Sequence, residues 1–434
     1  MSLGTALIVV ATLIAGLSID RAAGQAAAAD DPLAVEVARL VDQLDAPQLN
    51  EREAAERQLI ALGPAALEHL PSEVGERSAE VEQRLSRVRG QLERQRAREA
   101  ADGATVTLPA GPLRLSAALD ALSRQSGNQL VDFRNEFGQQ MVDFEIEVAR
   151  ERTTFWQALD AVLDAAEMTV YPYGAEGAVA VVGRGPARLP RTEGVSYSGA
   201  FRVEASEISA RRDLRQRGPG TLQLQIELAW EPRLRPIAVE LRLAGLEAID
   251  DRGHAVEVVA DQGVFESQLG TGASSTAFTI AMIPPPRGAR QIAEMRGRFA
   301  LMLPGRSEQF EFAELAAARD VVQRRAGVSV RLEQVRQTNE IWEVRLGLSL
   351  DEPHGALQSH RGWVFNNPAY LLSPEGERVD FDGFETTRQT ETDVGMAFLF
   401  YLPEGIAGHR FVYETPAAIV TVPVAFELTD LDLP

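Results

Sequence analysis

Histidine is the side chain best suited to hold a metal or move a proton near neutral pH, and this chain has five: His69, His254, His354, His360 and His409. No two stand at the i, i+4 or short-loop separation that brings a pair of imidazoles to one ion, so they read as surface or satisfied residues. Asp380, Asp382 and Gly383 with Glu391 match part of a calcium loop. Phe384 and Glu385 fall where a further ligand and the turn glycine belong, which reduces the stretch to an acidic turn. Glycoside hydrolysis needs two carboxylates that can be far apart in sequence, and nothing singles out a pair. No Gly-x-Ser-x-Gly elbow or glycine-rich phosphate loop occurs. No residue is therefore assigned to catalysis, to a cofactor or to a metal.

Composition sharpens those exclusions. The chain has no cysteine, and its 43 basic residues are all arginine. Disulfides, thiolate nucleophiles and sulfur-ligated metals are ruled out by the first fact. Schiff-base chemistry, pyridoxal phosphate attachment and the phosphate-loop lysine are ruled out by the second. A net charge of -20 and a pI near 4.8 argue against nucleic acid or anionic lipid as partners, since both need a basic face.

The elements that must position any site divide the chain into a multidomain α+β protein. Residues 1–26 read as a signal peptide, with an apolar run from Ala6 to Leu17 before the small residues Ala22 to Ala29. Extension from Leu3 to Ile19 would instead make a marginal uncleaved anchor. After cleavage the expectation is a chain with no membrane span, in the periplasm or outside the cell. Residues 27–101 are helical: Leu33, Val37, Leu40, Val41 and Leu44 form one stripe, and Val81, Leu85, Val88 and Leu92 form another over a long helix from Ser78 to Ala100. Asn50 with Glu53 is a candidate helix cap, and Pro64 starts a further short helix.

Residues 102–183 state a strand-helix-strand plan twice. Thr105 to Leu108, Leu115 to Gln125 and Gln129 to Phe133 form the first copy, with Leu115, Leu119 and Leu122 on one helical face. Val142 to Val148, a helix carrying Phe155, Leu159 and Val162, and a hairpin from Met168 to Tyr171 and Ala178 to Val182 form the second. A linker at 184–194 follows. Two tandem antiparallel β-sandwich domains are expected at 195–316 and 317–434, because Thr221 to Trp230 parallels Glu340 to Leu350 and later strands match in order. Trp230 and Trp342 fall at equivalent places and read as core anchors.

Two resemblances attach to these words. Arg52 to Leu70, REAAERQLIALGPAALEHL, resembles a single HEAT-like helical repeat, which implies docking on a neighbour. PLRLSAALDALSRQSGNQLV at 112–131 and TTFWQALDAVLDAAEMTVYPY at 153–173 resemble the short N-terminal domain of secretins and TonB-dependent receptors, with Ala118, Leu119, Ala158 and Leu159 as its small-leucine pairs. That resemblance implies a periplasmic module that meets other proteins. The later strands lack the aromatic-girdled pattern of a membrane barrel, so it covers the module alone. In the resembled helix Trp156 falls on the polar side, either as an intermolecular contact or tucked under a neighbouring part of the chain.

The expected function is a noncatalytic exported scaffold of the cell envelope that joins proteins whose identity the sequence does not give. Two alternatives stand beside it. One is a carbohydrate- or surface-polymer-binding adhesive protein using exposed aromatics such as Trp363 and Tyr370. The other is a hydrolase with an unrecognised carboxylate site.

Overall fold

The computed structural model describes residues 31–71, 77–172, 177–186, 188–215, 218, 220–259, 263–269, 272–351, 357, 362–390 and 392–434. The signal segment 1–26, His354, His360 and Glu391 lie outside them. Two compact units divide at Leu85 and Ser86. The chain is mostly β, with several antiparallel sheets, in keeping with a multidomain α+β protein.

The first unit is helical. Helix α1, Pro32–Gln43, starts where Asp31 accepts the Leu33 N–H at 3.0 Å, and its stripe buries Val37 and Leu40 with Leu44 just beyond. Helix α2, Leu49–Ala61, buries Ala55 and Leu59. Asn50 does not cap it: Gln48 holds that place without a side-chain bond, and Asn50 lies within the first turn. Pro64 begins only a 3-10 turn, Pro64–Glu68, too short to supply the second helix of a HEAT pair. Helix α3, Ala79–Ala101, begins in this unit, where Arg84 is buried against Glu56 at 2.6 Å and Glu80 at 2.9 Å.

The second unit opens with the rest of α3, which buries Val88 and Leu92 on the stripe read from the sequence. An α+β module follows: β1 Thr105–Leu108, β2 Pro112–Arg114, α4 Leu115–Ser126, β3 Gln129–Asp132, β4 Glu145–Glu147, β5 Arg150–Thr154, α5 Phe155–Ala165, β6 Met168–Tyr171 and β7 Ala178–Gly183. Leu115, Leu119 and Leu122 of α4 and Phe155, Leu159 and Val162 of α5 share one core. The second copy's first strand is shorter than its alternation predicts, and β5 is an added strand that returns to pair β1. The closing hairpin forms as β6 against β7, while β3 joins β7 in parallel.

Two β cores complete the chain. The strands are β8 Val195–Ser198, β9 Phe201–Arg211, β10 Thr221–Trp230, β11 Ala238–Arg242, β12 Glu247–Asp250, β13 Val264–Gln268, β14 Ser275–Met282, β15 Gln291–Leu303 and β16 Arg306–Phe312. They continue as β17 Arg319–Arg325, β18 Val328–Thr338, β19 Ile341–Leu350, β20 Ala369–Leu372, β21 Arg378–Asp380, β22 Gly383–Gln389, β23 Asp393–Tyr401, β24 Arg410–Ala417 and β25 Val420–Asp432. The first core lies between the sheet β14-β10-β9-β8 and a sheet containing β12, β15, β11, β13 and β25. Alternation in TLQLQIELAW sends Leu222, Leu224, Ile226, Leu228 and Trp230 inward. The second core lies between β16-β24-β20-β21 and β17-β18-β19-β23-β22. There Val344, Leu346 and Leu348 point inward, while Trp342 is only half-buried at the core's edge.

The expected border at 316/317 is corrected by the strand pairing. β25 pairs β15 along its whole length and supplies Val420, Val424, Phe426 and Leu428 to the first core. β16, from the other side of that border, pairs β24 and supplies Phe310 and Phe312 to the second. Leu303 faces Val420 and Arg306 faces Ala417, so β15–β16 and β24–β25 form one antiparallel ribbon running through both cores. Residues 195–316 expressed alone are therefore expected to lack a cooperative thermal transition, whereas 86–434 melts as one unit. Circular dichroism melts of the two fragments check this. A cooperative melt of 195–316 would mean that β25 is dispensable.

Candidate interaction site

Helix α5 carries most of the polar side chains that organise the second unit. It begins with a capping box in which Thr154 and Gln157 bond reciprocally. Phe155, Leu159 and Val162 enter the module core. Trp156, Asp160 and Asp164 recur at i, i+4 and i+8 on another face, which meets strand β9 and residues 184–192. That second face is buried too. Trp156 is 2% exposed and its indole N–H donates to the Ala200 carbonyl at 3.1 Å, so the reading of Trp156 as a surface contact is corrected.

Asp160 is fully buried. Its carboxylate accepts Arg191 Nε at 2.6 Å, Arg202 Nε at 2.5 Å and the Tyr197 hydroxyl at 2.8 Å. Burial opposes the charge on Arg202, but the Asp160 carboxylate outweighs it and raises the guanidinium's pKa. Burial, with the same negative charge, also raises the Tyr197 phenol. Asp164 takes the Arg191 and Thr192 backbone N–H groups at 2.6 and 2.9 Å and the Arg184 guanidinium. Residues 184–192 are thus fastened to the module and do not form a free linker.

A second acid fastens the same junction from the opposite side. Glu231, fully buried just after β10, accepts the Ala104 N–H and the Asn128 amide, both at 2.9 Å, and Arg233 Nε at 2.6 Å. The backbones close over it through Ala200 N–H to Ala101 O at 2.9 Å. Only glycine fits at Gly199, where φ is +58° and a Cβ would lie 2.3 Å from the Ala101 carbonyl oxygen.

With its core side so occupied, the module presents the loop between β3 and β4. Phe137, Met141 and Val142 are 49%, 53% and 53% exposed. The loop is nonetheless braced: buried Arg134 pairs with Asp132 at 2.7 Å and donates to Val142 O at 3.0 Å, and Gln139 accepts the Gly183 N–H at 2.7 Å. Phe137 meets Tyr171 edge-on at 4.8 Å.

The remaining sequence candidates fall elsewhere. Trp363 is 6% exposed and packs in the second core, which removes it from an exposed aromatic face. Tyr370 is half-buried, covered by the Arg378 guanidinium at 4.4 Å, with its hydroxyl on Glu414 at 3.1 Å. His69 and His254 each meet one aspartate, and His409 one backbone carbonyl. Among the described residues no cluster of metal-ligating side chains occurs, and no helix is long and apolar enough to cross a membrane. Asp380 pairs with Arg378, and Asp382 accepts the Tyr401 N–H. Reading from one stripe missed Asp160, Asp164 and Glu231; the signal for the first two was Trp-x3-Asp-x3-Asp in a helix with arginines close behind. No protein-family model matches the chain, and no curated protein matches it.

Removing Trp156 to alanine is expected to cost about 3–5 kcal/mol of stability, the range for deleting a fully buried tryptophan. Asp160→Asn should cost a similar ~3–5 kcal/mol, because Arg191 and Arg202 would remain buried without their counter-charge. Urea denaturation of both variants measures these losses.

Asp164 adds a pH dependence. Burial pushes its carboxyl up, but the backbone bonds from Arg191 and Thr192, with Thr192 Oγ1 and Arg184, bring it below the ordinary 3.8. A depressed acid contributes stability that is complete above its unfolded value and disappears as pH falls through the lower folded value. Asp164→Asn is therefore expected to flatten the stability profile below about pH 4, as followed by urea midpoints across that range.

Proposed function

We infer that the chain is an exported, noncatalytic scaffold of the cell envelope, whose α+β module docks another protein through the braced loop at 133–144. The observation that carries this reading is the pairing of three exposed apolar side chains with a loop already fixed by Arg134 and Gln139. Exposed apolar groups on a preordered backbone favour association, because little conformational freedom is lost on binding. The module's resemblance to the short domain of secretins and TonB-dependent receptors supports a protein partner. The apolar run Ala6 to Leu17 supports export, with the mature chain in the periplasm or outside the cell.

Absence of catalysis belongs to the same reading. The buried carboxylates Asp160 and Glu231 are held by arginine, amide or phenol groups, which suits fastening better than proton transfer. The adhesive alternative is weakened by the burial of Trp363 and the cover over Tyr370. The two β cores are read as strand-exchanged sandwich repeats: β10 lies between β9 and β14 as β19 lies between β18 and β23.

The test is a double variant, Phe137→Ser with Met141→Ser. It is expected to keep the wild-type melting temperature while weakening capture of the envelope partner by on the order of tenfold or more. Quantitative pull-down of the full chain from envelope extract, alongside a thermal melt, reads both. Undiminished capture would remove the loop from the interface.

A further inference from the structure

The outer face of the sheet β17-β18-β19-β23-β22 contains a notch of about 430 Å³. Pairing register defines its floor and walls. Arg324 lies opposite Ser329, and Ser329 opposite Ser349. Two residues along, and so on the same face, Arg331 lies opposite Gly347. Gly347 leaves the centre open, and the Arg388 guanidinium, pinned by Glu333 at 3.0 Å and Asp393 at 2.5 Å, forms the far wall.

These side chains differ in how far they are already committed. Arg388 is held by two acids. Arg331 reaches only Asp320, at 4.0 Å. Arg324 has no ion-pair partner among the described residues, and neither Ser329 nor Ser349 forms a side-chain hydrogen bond there. In a chain of net charge -20, the notch lining holds three arginines against two acids. Screening confines the surrounding negative field to roughly 8–10 Å at ordinary ionic strength, so the local excess of guanidinium governs what enters.

We propose that this notch is a binding site for a phosphorylated or sulfated sugar. Arg324 and Arg331 supply charge-assisted donors to the oxyanion, for which the planar guanidinium is well matched. Ser329 and Ser349 supply the hydroxyls, each able to donate and accept, that a sugar ring's own hydroxyls require. The volume supports the sugar portion: it falls in the range of small-molecule pockets, roughly 300–1,000 Å³, and exceeds what a lone phosphate or sulfate fills.

Isothermal titration of the full chain at low salt with glucose 6-phosphate, glucose, inorganic phosphate and inorganic sulfate tests the assignment. Saturable binding is expected for glucose 6-phosphate, weaker binding for the two inorganic ions, and none for glucose. Arg324→Ala and Arg331→Ala are each expected to weaken the sugar phosphate by about tenfold with an unchanged melting temperature. Arg296→Ala, a surface change in the other β core, should have no effect. Equal affinity for inorganic phosphate and glucose 6-phosphate would overturn the sugar component. The proposal as a whole fails if no phosphate or sulfate probe binds saturably, or if the two notch variants bind like Arg296→Ala.

Discussion

The antiparallel ribbon formed by β15–β16 against β24–β25 is the constraint on which the second unit depends. Each long strand leaves one β core and enters the other, with only Pro304 and Gly305 or Ala418 and Ile419 between its two parts. Neither core can open without breaking a ladder that the other core also uses. Helix α3 braces the turn in this ribbon: Arg306 pairs with buried Glu93 at 2.8 Å, and Arg96 donates to the Gly305 carbonyl at 3.0 Å. A side chain at Gly305 would meet the Glu93 carbonyl at 2.8 Å, so glycine is what lets helix and ribbon touch. Burial raises the Glu93 carboxyl despite the opposing pull of Arg306, so this brace holds its charge at a cost in desolvation.

The module is joined to this frame by charge more than by apolar area. Asp160 reaches from the module into residues of the β region, and Glu231 reaches from the β region to the module's backbone and Asn128. Buried ion pairs add little net stability compared with well-packed apolar groups, but they are severe about geometry, because a displaced partner leaves a bare charge. Two such acids on opposite sides of one junction fix its orientation. Arginine is well suited to such a junction, since Arg202 contacts Asp160, Glu204 and the Arg191 carbonyl at once, which a lysine ammonium's point charge does not reproduce as a planar fork. A composition with arginine as its only cation therefore has a structural use here, whatever its origin.

Much of this fold was legible in the sequence because hydrophobic period reports burial directly. The α1, α3, α4 and α5 stripes and the alternation of β10 and β19 emerge with the expected residues inside. What was not legible depends on partners far away in the chain. The α5 pattern has one apolar stripe by composition, yet the helix has two buried faces, because arginines 31 and 42 residues from Asp160 neutralise the second. Trp156 was misplaced for that reason. The border at 316/317 failed for a related one: local alternation identifies a strand but not the neighbour it pairs with, and exchange of β16 and β25 leaves every local pattern intact. Pro64 marked a helix start correctly as a local signal, but what followed it was a 3-10 turn.

Rigidity of this kind bears on function through the entropy of association. A loop held by Arg134 and Gln139, on a module held by Asp160 and Glu231, on a frame held by a shared ribbon, has few internal motions to lose when something binds. The sheet that carries Arg324 and Arg331 is one layer of the core that β16 and β24 close from the other side. Its cross-strand register sets the spacing of guanidinium and hydroxyl groups before any ligand arrives. Both surfaces therefore derive their preorganisation from the same source. An acid that fastens α5 and a strand that crosses between cores act on binding without touching a partner, by keeping the exposed groups where the backbone has put them.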